Sequence, residues 1–293
     1  TYREPGRRMS ISIGAALDRA VALLRPVADL PHLEAELLLC HVVGKPRTWL
    51  VAWPEKRLTE RELATFMELV KQREEGAPVA YLTGKREFWS LTLKVTPDTL
   101  IPRPETELLV ETVLERFADR PTLRVVDMGT GSGAIALAIA KEKPGWEVIA
   151  TDISEAALAV ARENAHEHKI ANIRFLQGDW YDALPPETHV DVILSNPPYI
   201  AGTDPHLQQG DVRFEPRSAL ASGNEGLDDI CKLLPGAIVH LKDGGCILVE
   251  HGSTQGPAVR ERMKHFGYHE IRSLRDLEGH ERVTLGVYRA MPI

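Results

Sequence analysis

One stretch limits the possible folds of this chain more than any other. Residues 123–128, Leu-Arg-Val-Val-Asp-Met, run directly into Gly129-Thr130-Gly131-Ser132-Gly133 and then into the alanine-rich sequence from Ala134. A short apolar run with adjacent valines reads as a buried strand. Alternate glycines permit a tight turn and a close backbone approach to a ligand, and Gly133 is expected to let the next helix pack against the strand. A strand, a glycine turn and a helix in that order start a βαβ unit, and the pattern continues. Further strands are predicted at 147–151, 173–176, 190–194 and 246–250, with helices at 134–141, 155–168 and 227–241 between them. A helix around 257–266 precedes two last strands at 268–274 and 283–288. The expected fold is α/β, a Rossmann-like doubly wound sheet of seven strands.

The first third differs. From Ile11 to about Arg73 the periodicity is helical, with apolar stripes at Ala15, Leu17, Val21 and Leu24 and at Leu33, Leu37, Leu38 and His41. Gly44-Lys45-Pro46 closes the second of these helices. Thr59-Glu60-Arg61-Glu62 is a capping box ahead of Leu63, Phe66, Met67 and Val70. A small helical bundle is expected over 9–85, preceded by an extension at 1–8 ahead of Met9. Residues 86–104 read as a hairpin and linker, and 105–293 as the catalytic domain.

Composition excludes several classes. No apolar run approaches the roughly 20 residues of a membrane helix, and no secretory leader is legible. Cys40, Cys231 and Cys246 are scattered without a CxxC, as expected of reduced thiols in a cytoplasmic protein. The net charge is −7, and residues 9–100 carry 12 basic against 12 acidic side chains. A nucleic-acid binder usually shows a basic excess, so no direct nucleic-acid partner is expected; no membrane partner and a monomeric state are expected as well. HExxH, GxSxG and GxxxxGK(S/T) are all missing from the sequence. His166 and His168 are expected on a solvated helix face and His251 as a structural histidine; no metal site is expected.

Four successive strand ends carry ligand-type residues. Read loosely, Gly129, Gly131 and Ala134 fit a dinucleotide fingerprint. Asp127, two residues before the first glycine, argues against a diphosphate, since its carboxylate would repel one and would suit a cationic ligand. S-adenosylmethionine carries an ammonium and a sulfonium and no phosphate. Asp152 ends the second strand, where it can take two ribose hydroxyls, and Asp179-Trp180 follow the third, where an adenine would sit. The fourth strand ends at Ser195-Asn196-Pro197-Pro198-Tyr199. Two prolines cannot continue a central strand. They stiffen a turn whose carbonyls, with the Asn196 side-chain oxygen, can accept from a planar –NH2 group, while Tyr199 could lie on its flat face. All four ends lie on the carboxyl edge, where open α/β sheets bind ligands.

Asp-x-Gly-x-Gly-x-Gly combined with Asn-Pro-Pro-Tyr resembles the class I methyltransferases that modify exocyclic or amide nitrogen. Tyr81-Leu82-Thr83-Gly84, Glu87-Phe88-Trp89, Leu100-Ile101-Pro102-Arg103-Pro104-Glu105-Thr106-Glu107, the segment from Pro205 to Pro216 and Glu281-Arg282-Val283-Thr284 narrow it. Together they resemble the HemK/PrmC family, the glutamine methyltransferases of peptide-chain release factors. The resemblance implies transfer of a methyl group from S-adenosylmethionine, leaving S-adenosylhomocysteine. The acceptor it implies is N5 of the glutamine in the Gly-Gly-Gln motif of class I release factors, which would be the protein partner. It further implies that Asp127, Gly129 to Gly133 (with Thr130 and Ser132), Asp152, Asp179, Trp180 and Asn196 hold the cofactor. Asn196, Pro197, Pro198 and Tyr199 would hold the glutamine, with Asn196 and Pro197 catalytic, and the helical domain would help dock the release factor. A DNA adenine or RNA guanine N-methyltransferase is the nearest alternative, disfavoured by the neutral balance of residues 9–100. A non-catalytic adaptor is opposed by the intact Asn196 motif, and a dehydrogenase by Asp127.

Overall fold

A computed structural model describes residues 11–290, so the 1–8 extension lies outside the described residues. The chain divides into two compact units between Gly84 and Lys85.

The first unit is helical: α1 (Ile13–Leu24), α2 (Pro31–Val43), α3 (Arg47–Ala52), α4 (Glu60–Glu74) and α5 (Val79–Thr83). Local signals set its boundaries. Ser12 accepts from the Ala15 N–H to start α1. Thr59 and Glu62 close the capping box at α4, and Gly44 ends α2 in the left-handed region. The faces needed correction. In α1 the buried residues are Ile13, Ala16, Ala20, Val21 and Leu24. In α2 they are Ala35, Leu38 and Leu39, and Leu37 stays exposed. With leucine at 33, 37, 38 and 39, apolar residues ring much of α2, so its periodicity cannot choose a face. Phe66 and Val70 of α4 complete this core, with Leu63 and Met67 packed against it.

The second unit opens with a hairpin, β1 (Lys85–Phe88) and β2 (Leu91–Lys94). Phe88, Leu91 and Leu93 belong to the main core of this unit, so the segment does more than connect. Next come α6 (Glu107–Arg116), β3 (Arg124–Met128), α7 (Ala134–Glu142), β4 (Glu147–Asp152), α8 (Glu155–Glu167), β5 (Ile173–Gln177), β6 (Val190–Ser195), α9 (Asp228–His240), β7 (Leu241–Glu250), α10 (Gly256–His265), β8 (His269–Arg275) and β9 (Glu281–Val287). The seven-stranded sheet has the order β5-β4-β3-β6-β7-β9-β8. Neighbours from β5 to β7 are parallel, and β9 runs antiparallel to both β7 and β8.

Both faces are covered, so the central strands are apolar throughout rather than alternating. Val125, Val192, Leu194 and Leu248 face one core, which includes α6 and α7. Val126, Ile193, Ile247 and Val249 face the other, which includes α9 and α10. Strand order reverses between β3 and β6, and at such a switch point the loops leave a crevice at the carboxyl edge. Among the described residues no helix is long and apolar enough to cross a membrane.

Candidate active site

β3 and β6 are neighbours, with Met128 opposite Ser195, so the glycine turn and the Asn196 turn leave the sheet side by side. The Ser195 hydroxyl donates to the Met128 carbonyl at 2.8 Å and ties the two strand ends together. On the other side of β3, Met128 is opposite Thr151, which puts Asp152 beside the same turn.

The glycine turn rests on two carboxylates. Asp127 is fully buried; its Oδ2 accepts from the Thr130 hydroxyl at 2.6 Å and from the Ala136 N–H at 3.2 Å. Its Oδ1 is buried without a hydrogen-bond partner. Burial pushes this carboxyl up to about 7 against the pull of those two donors, with the Asp152 charge adding to the rise. Asp152 Oδ2 accepts from the Gly131 N–H and its Oδ1 from the Ser154 N–H, each at 2.9 Å. Burial raises Asp152 above the usual carboxylate range, opposed by those backbone donors. Asp152 thus shapes the turn, and each oxygen keeps a lone pair for a further donor.

Gly129, at φ +75°, lies under the Trp180 ring, whose nearest atom would be 3.6 Å from an added Cβ. Trp180 itself has φ +47° and is half-buried, while Asp179 beside it is exposed. Gly133 corrects an expectation. A Cβ there would come within 2.9 Å of Leu137 and 3.2 Å of Ala161, so it clears room for α7 and α8 rather than for a strand. The buried Asn164 of α8 donates to the Ser132 carbonyl at 2.9 Å and joins the turn to β2 through Lys94.

The Asn196 turn is held from several directions. Asn196 Nδ2 donates to the Thr106 hydroxyl at 3.1 Å, which leaves Oδ1 as the free acceptor end of that amide. Pro197 is buried and Pro198 half-buried. The Tyr199 carbonyl accepts from Gln255 Nε2 at 3.0 Å, and its hydroxyl donates to Glu250 Oε1 at 3.3 Å. Burial, chiefly, raises the Tyr199 phenol well above its ordinary value. Past the turn, Ile200 pairs with Ala221. Glu215, with a fully buried side chain, forms an ion pair with Arg103 and accepts from the Ile101 N–H at 2.9 Å. That links the Ile101–Arg103 stretch to the segment that follows the Asn196 turn.

The described structure therefore brings together Asp127, Gly129 to Gly133, Asp152, Trp180 and Asn196 to Tyr199, with Asp179 at the exposed rim. His251 is buried, its Nε2 2.8 Å from the Thr284 hydroxyl and its Nδ1 2.9 Å from the Gly252 carbonyl, which makes it a structural histidine. His166 is solvated, but His168 contacts the Thr92 carbonyl at 2.8 Å and fastens α8 to the hairpin. Among the described residues, no group of His, Cys, Asp and Glu is placed to hold a metal ion. Sequence reasoning missed Thr106, Glu250 and Gln255 as supports of the Asn196 turn. Directly after Asp152, Ile153 is left 64% exposed, an apolar side chain beside a strand-end carboxylate.

The comparisons with known proteins bear on the family and the fold. The family model for the PrmC N-terminal domain matches residues 15–84, and that for the methyltransferase small domain matches 104–214. A release factor glutamine methyltransferase of Vibrio cholerae is 49% identical over 96% of this chain and 98% of its own length. One of Escherichia coli is 47% identical over 93% and 97%. Among solved structures, a methyltransferase from Pyrococcus furiosus superposes with a TM-score of 0.52 at 23% identity, covering 69% of this chain and 90% of its own. A Thermus thermophilus 16S rRNA methyltransferase in complex with AdoMet and guanosine reaches 0.51 at 20% identity over 70% and 50%. At such identities the two structures establish the fold alone. The full-length relatives establish more, and on their similarity the chain belongs to the release factor glutamine methyltransferase family.

Proposed function

We propose that this protein transfers a methyl group from S-adenosylmethionine to N5 of the glutamine in the Gly-Gly-Gln motif of class I peptide-chain release factors, in the cytoplasm. The observation that carries the reading is the pairing of two adjacent strand ends. One presents a glycine turn over buried carboxylates, and the other presents an asparagine amide whose oxygen is left free because its nitrogen is engaged by Thr106.

The orphaned buried oxygen of Asp127 supports a ligand that carries ammonium and sulfonium groups rather than a diphosphate. Gly129 to Gly133, with Thr130 and Ser132, would line that ligand and Asp152 would take its ribose hydroxyls. Trp180 and Ile153 would border its base, with Asp179 at the rim. Bound there, S-adenosylmethionine supplies an electrophilic methyl group.

The protein's own task is to make an amide nitrogen nucleophilic. That nitrogen is unreactive because its lone pair is delocalised into the carbonyl. Acceptance of both N–H bonds by Asn196 Oδ1 and the Pro197 carbonyl would turn the lone pair toward the methyl group. The same dipoles would stabilise the positive charge that develops on nitrogen. Pro198 stiffens the turn and Tyr199 would lie against the amide plane, so orientation would supply most of the remaining acceleration. The helical unit would help dock the release factor. Leu30, Val51 and Trp53 stay exposed on it, and Arg73 is its one buried polar side chain among the described residues.

Mass spectrometry of a class I release factor incubated with labelled S-adenosylmethionine tests this. Label is expected on the glutamine of Gly-Gly-Gln and none on a release factor carrying glutamate there. A carboxylate has no N–H to offer Asn196 and Pro197. Label elsewhere, or on nucleic acid instead, would overturn the assignment.

A further inference from the structure

Beneath the Asn196 turn lies a buried acid that the proposed transfer does not use. Glu250 ends β7, next to β6, and Ser195 is opposite Val249, so Asn196 and Glu250 follow each other off adjacent strands. Glu250 is 1% exposed. Its Oε1 accepts from the Tyr199 hydroxyl at 3.3 Å, and its Oε2 is buried with no hydrogen-bond partner. Thr106 is also buried, and its oxygen already accepts from Asn196 Nδ2 at 3.1 Å. The Thr106 hydroxyl proton must therefore be donated elsewhere, and the orphaned Glu250 oxygen is the nearby acceptor that lacks a donor.

We propose that Glu250 and Thr106 act together as positioning residues, locking the Asn196 amide and the Tyr199 phenol in the orientation that methyl transfer needs. The inference rests on Asn196 being the holder of the substrate amide. With Glu250 as a carboxylate, both hydroxyls donate to it. Thr106 then has only lone pairs to offer Asn196, which fixes which end of that amide is nitrogen and which is oxygen. With Glu250 protonated, its own O–H competes for the Thr106 oxygen, and the Asn196 amide loses its fixed orientation.

The groups facing Glu250 set where this happens. Burial raises its carboxyl to about 7, while the hydroxyls of Thr106 and Tyr199 and the charge of Arg282 pull it down; Glu105 pushes it up. The charged form is the ordering one, so the locked state is present above this value and is lost as the pH falls through it.

The test is single-turnover transfer to a release factor between pH 6 and 8.5 by the parent, Glu250→Gln, Thr106→Val and Thr106→Ser enzymes, with S-adenosylmethionine saturating at every pH so that titration of the Asp127 carboxyl, also near 7, does not enter the rate. Cofactor affinity is measured in parallel as a check on folding. The parent is expected to lose rate on the acid side with a midpoint near 7. Glu250→Gln should be slower at pH 8 by on the order of tenfold and flat across the range. Thr106→Val should lose a similar factor and Thr106→Ser recover most of it, with cofactor affinity kept within about twofold. An acid limb that persists in Glu250→Gln, or equal rates for the valine and serine variants, would overturn the positioning role while leaving the function standing. No transfer to glutamine by the parent would bring down the functional reading and this inference with it.

Discussion

The helical unit and the carboxyl edge of the sheet are built on opposite terms. The helical core is apolar: Ile13, Ala20, Leu24, Leu38, Leu50 and Phe66 fill it, and Arg73 is the single polar side chain buried there among the described residues. The sheet edge buries Asp127, Thr130, Ser132, Thr151, Ser195, Glu250 and His251 within a few residues of strand ends. Two of its carboxylates have an oxygen with no partner. Apolar burial stabilises, whereas buried charge without a full set of partners costs stability. Such a cost persists where a ligand or a reaction uses the group. The first unit is therefore built chiefly for stability, whereas the sheet edge keeps buried polar groups at some expense in stability.

Substitutions in the two regions should separate along that line. Phe66→Ala removes a fully buried ring from the helical core and should destabilise that unit by about 3–5 kcal/mol in denaturant unfolding. Cofactor affinity by calorimetry should stay within about twofold; a parallel loss there would erase the division of roles. Asp152→Ala should do the reverse. It removes the proposed ribose contact and the acceptor of the Gly131 N–H, each charge-assisted bond contributing about 1.5–3 kcal/mol. Cofactor affinity should fall by one to two orders of magnitude, and unchanged affinity would remove Asp152 from the site.

Asp127→Asn sharpens the comparison because stability and binding should move in opposite directions. The Asp127 carboxyl titrates near 7 in the fold, above its ordinary value of 3.8, so the fold favours its neutral form. Its cost is therefore absent below about pH 4, grows as the pH rises through this interval and is complete above 7. Without cofactor, Asp127→Asn should be more stable than the parent by about 1–2 kcal/mol at pH 8. That is less than the full linkage value, because the new –NH2 lacks an acceptor. The gain should shrink as the pH falls and turn into a deficit toward pH 4 in urea titrations, because the unpaired –NH2 costs the same at every pH, while cofactor binding weakens. A difference independent of pH would show that the charge of Asp127 is not what the fold tolerates.

What could be read in the sequence followed the range of the interactions. The Gly129–Gly133 turn, the Thr59 capping box and the Asn196-Pro197-Pro198 turn are local, and composition announces them. The central strands β3, β4 and β6 showed because parallel strands covered on both faces are largely continuous apolar runs. The supports of the site were not legible, because they come from distant parts of the chain. Thr106 lies 90 residues before Asn196, Glu250 51 residues after Tyr199, and Glu215 114 residues after Ile101. Thr106 and Glu215 lie in stretches that the sequence singled out, but nothing local names their partners, and Glu250 has no local pattern that sets it apart. The mistaken face of α2 and the mistaken neighbour of Gly133 share a cause, since packing partners are chosen by tertiary structure and not by period.

The central claim is that the Asn196 turn holds the reacting amide and the glycine turn holds the methyl donor. Asn196→Ala tests it most directly, by single-turnover transfer from labelled S-adenosylmethionine to a release factor alongside calorimetry of cofactor binding. Cofactor affinity should be largely retained, because in the proposed site the glycine turn, Asp152 and Trp180 would supply most of its contacts. The transfer rate should fall on the order of 10²–10³-fold with the loss of one preorganised acceptor at the nitrogen. A rate within a few-fold of the parent enzyme would show that this strand end does not hold the reacting group.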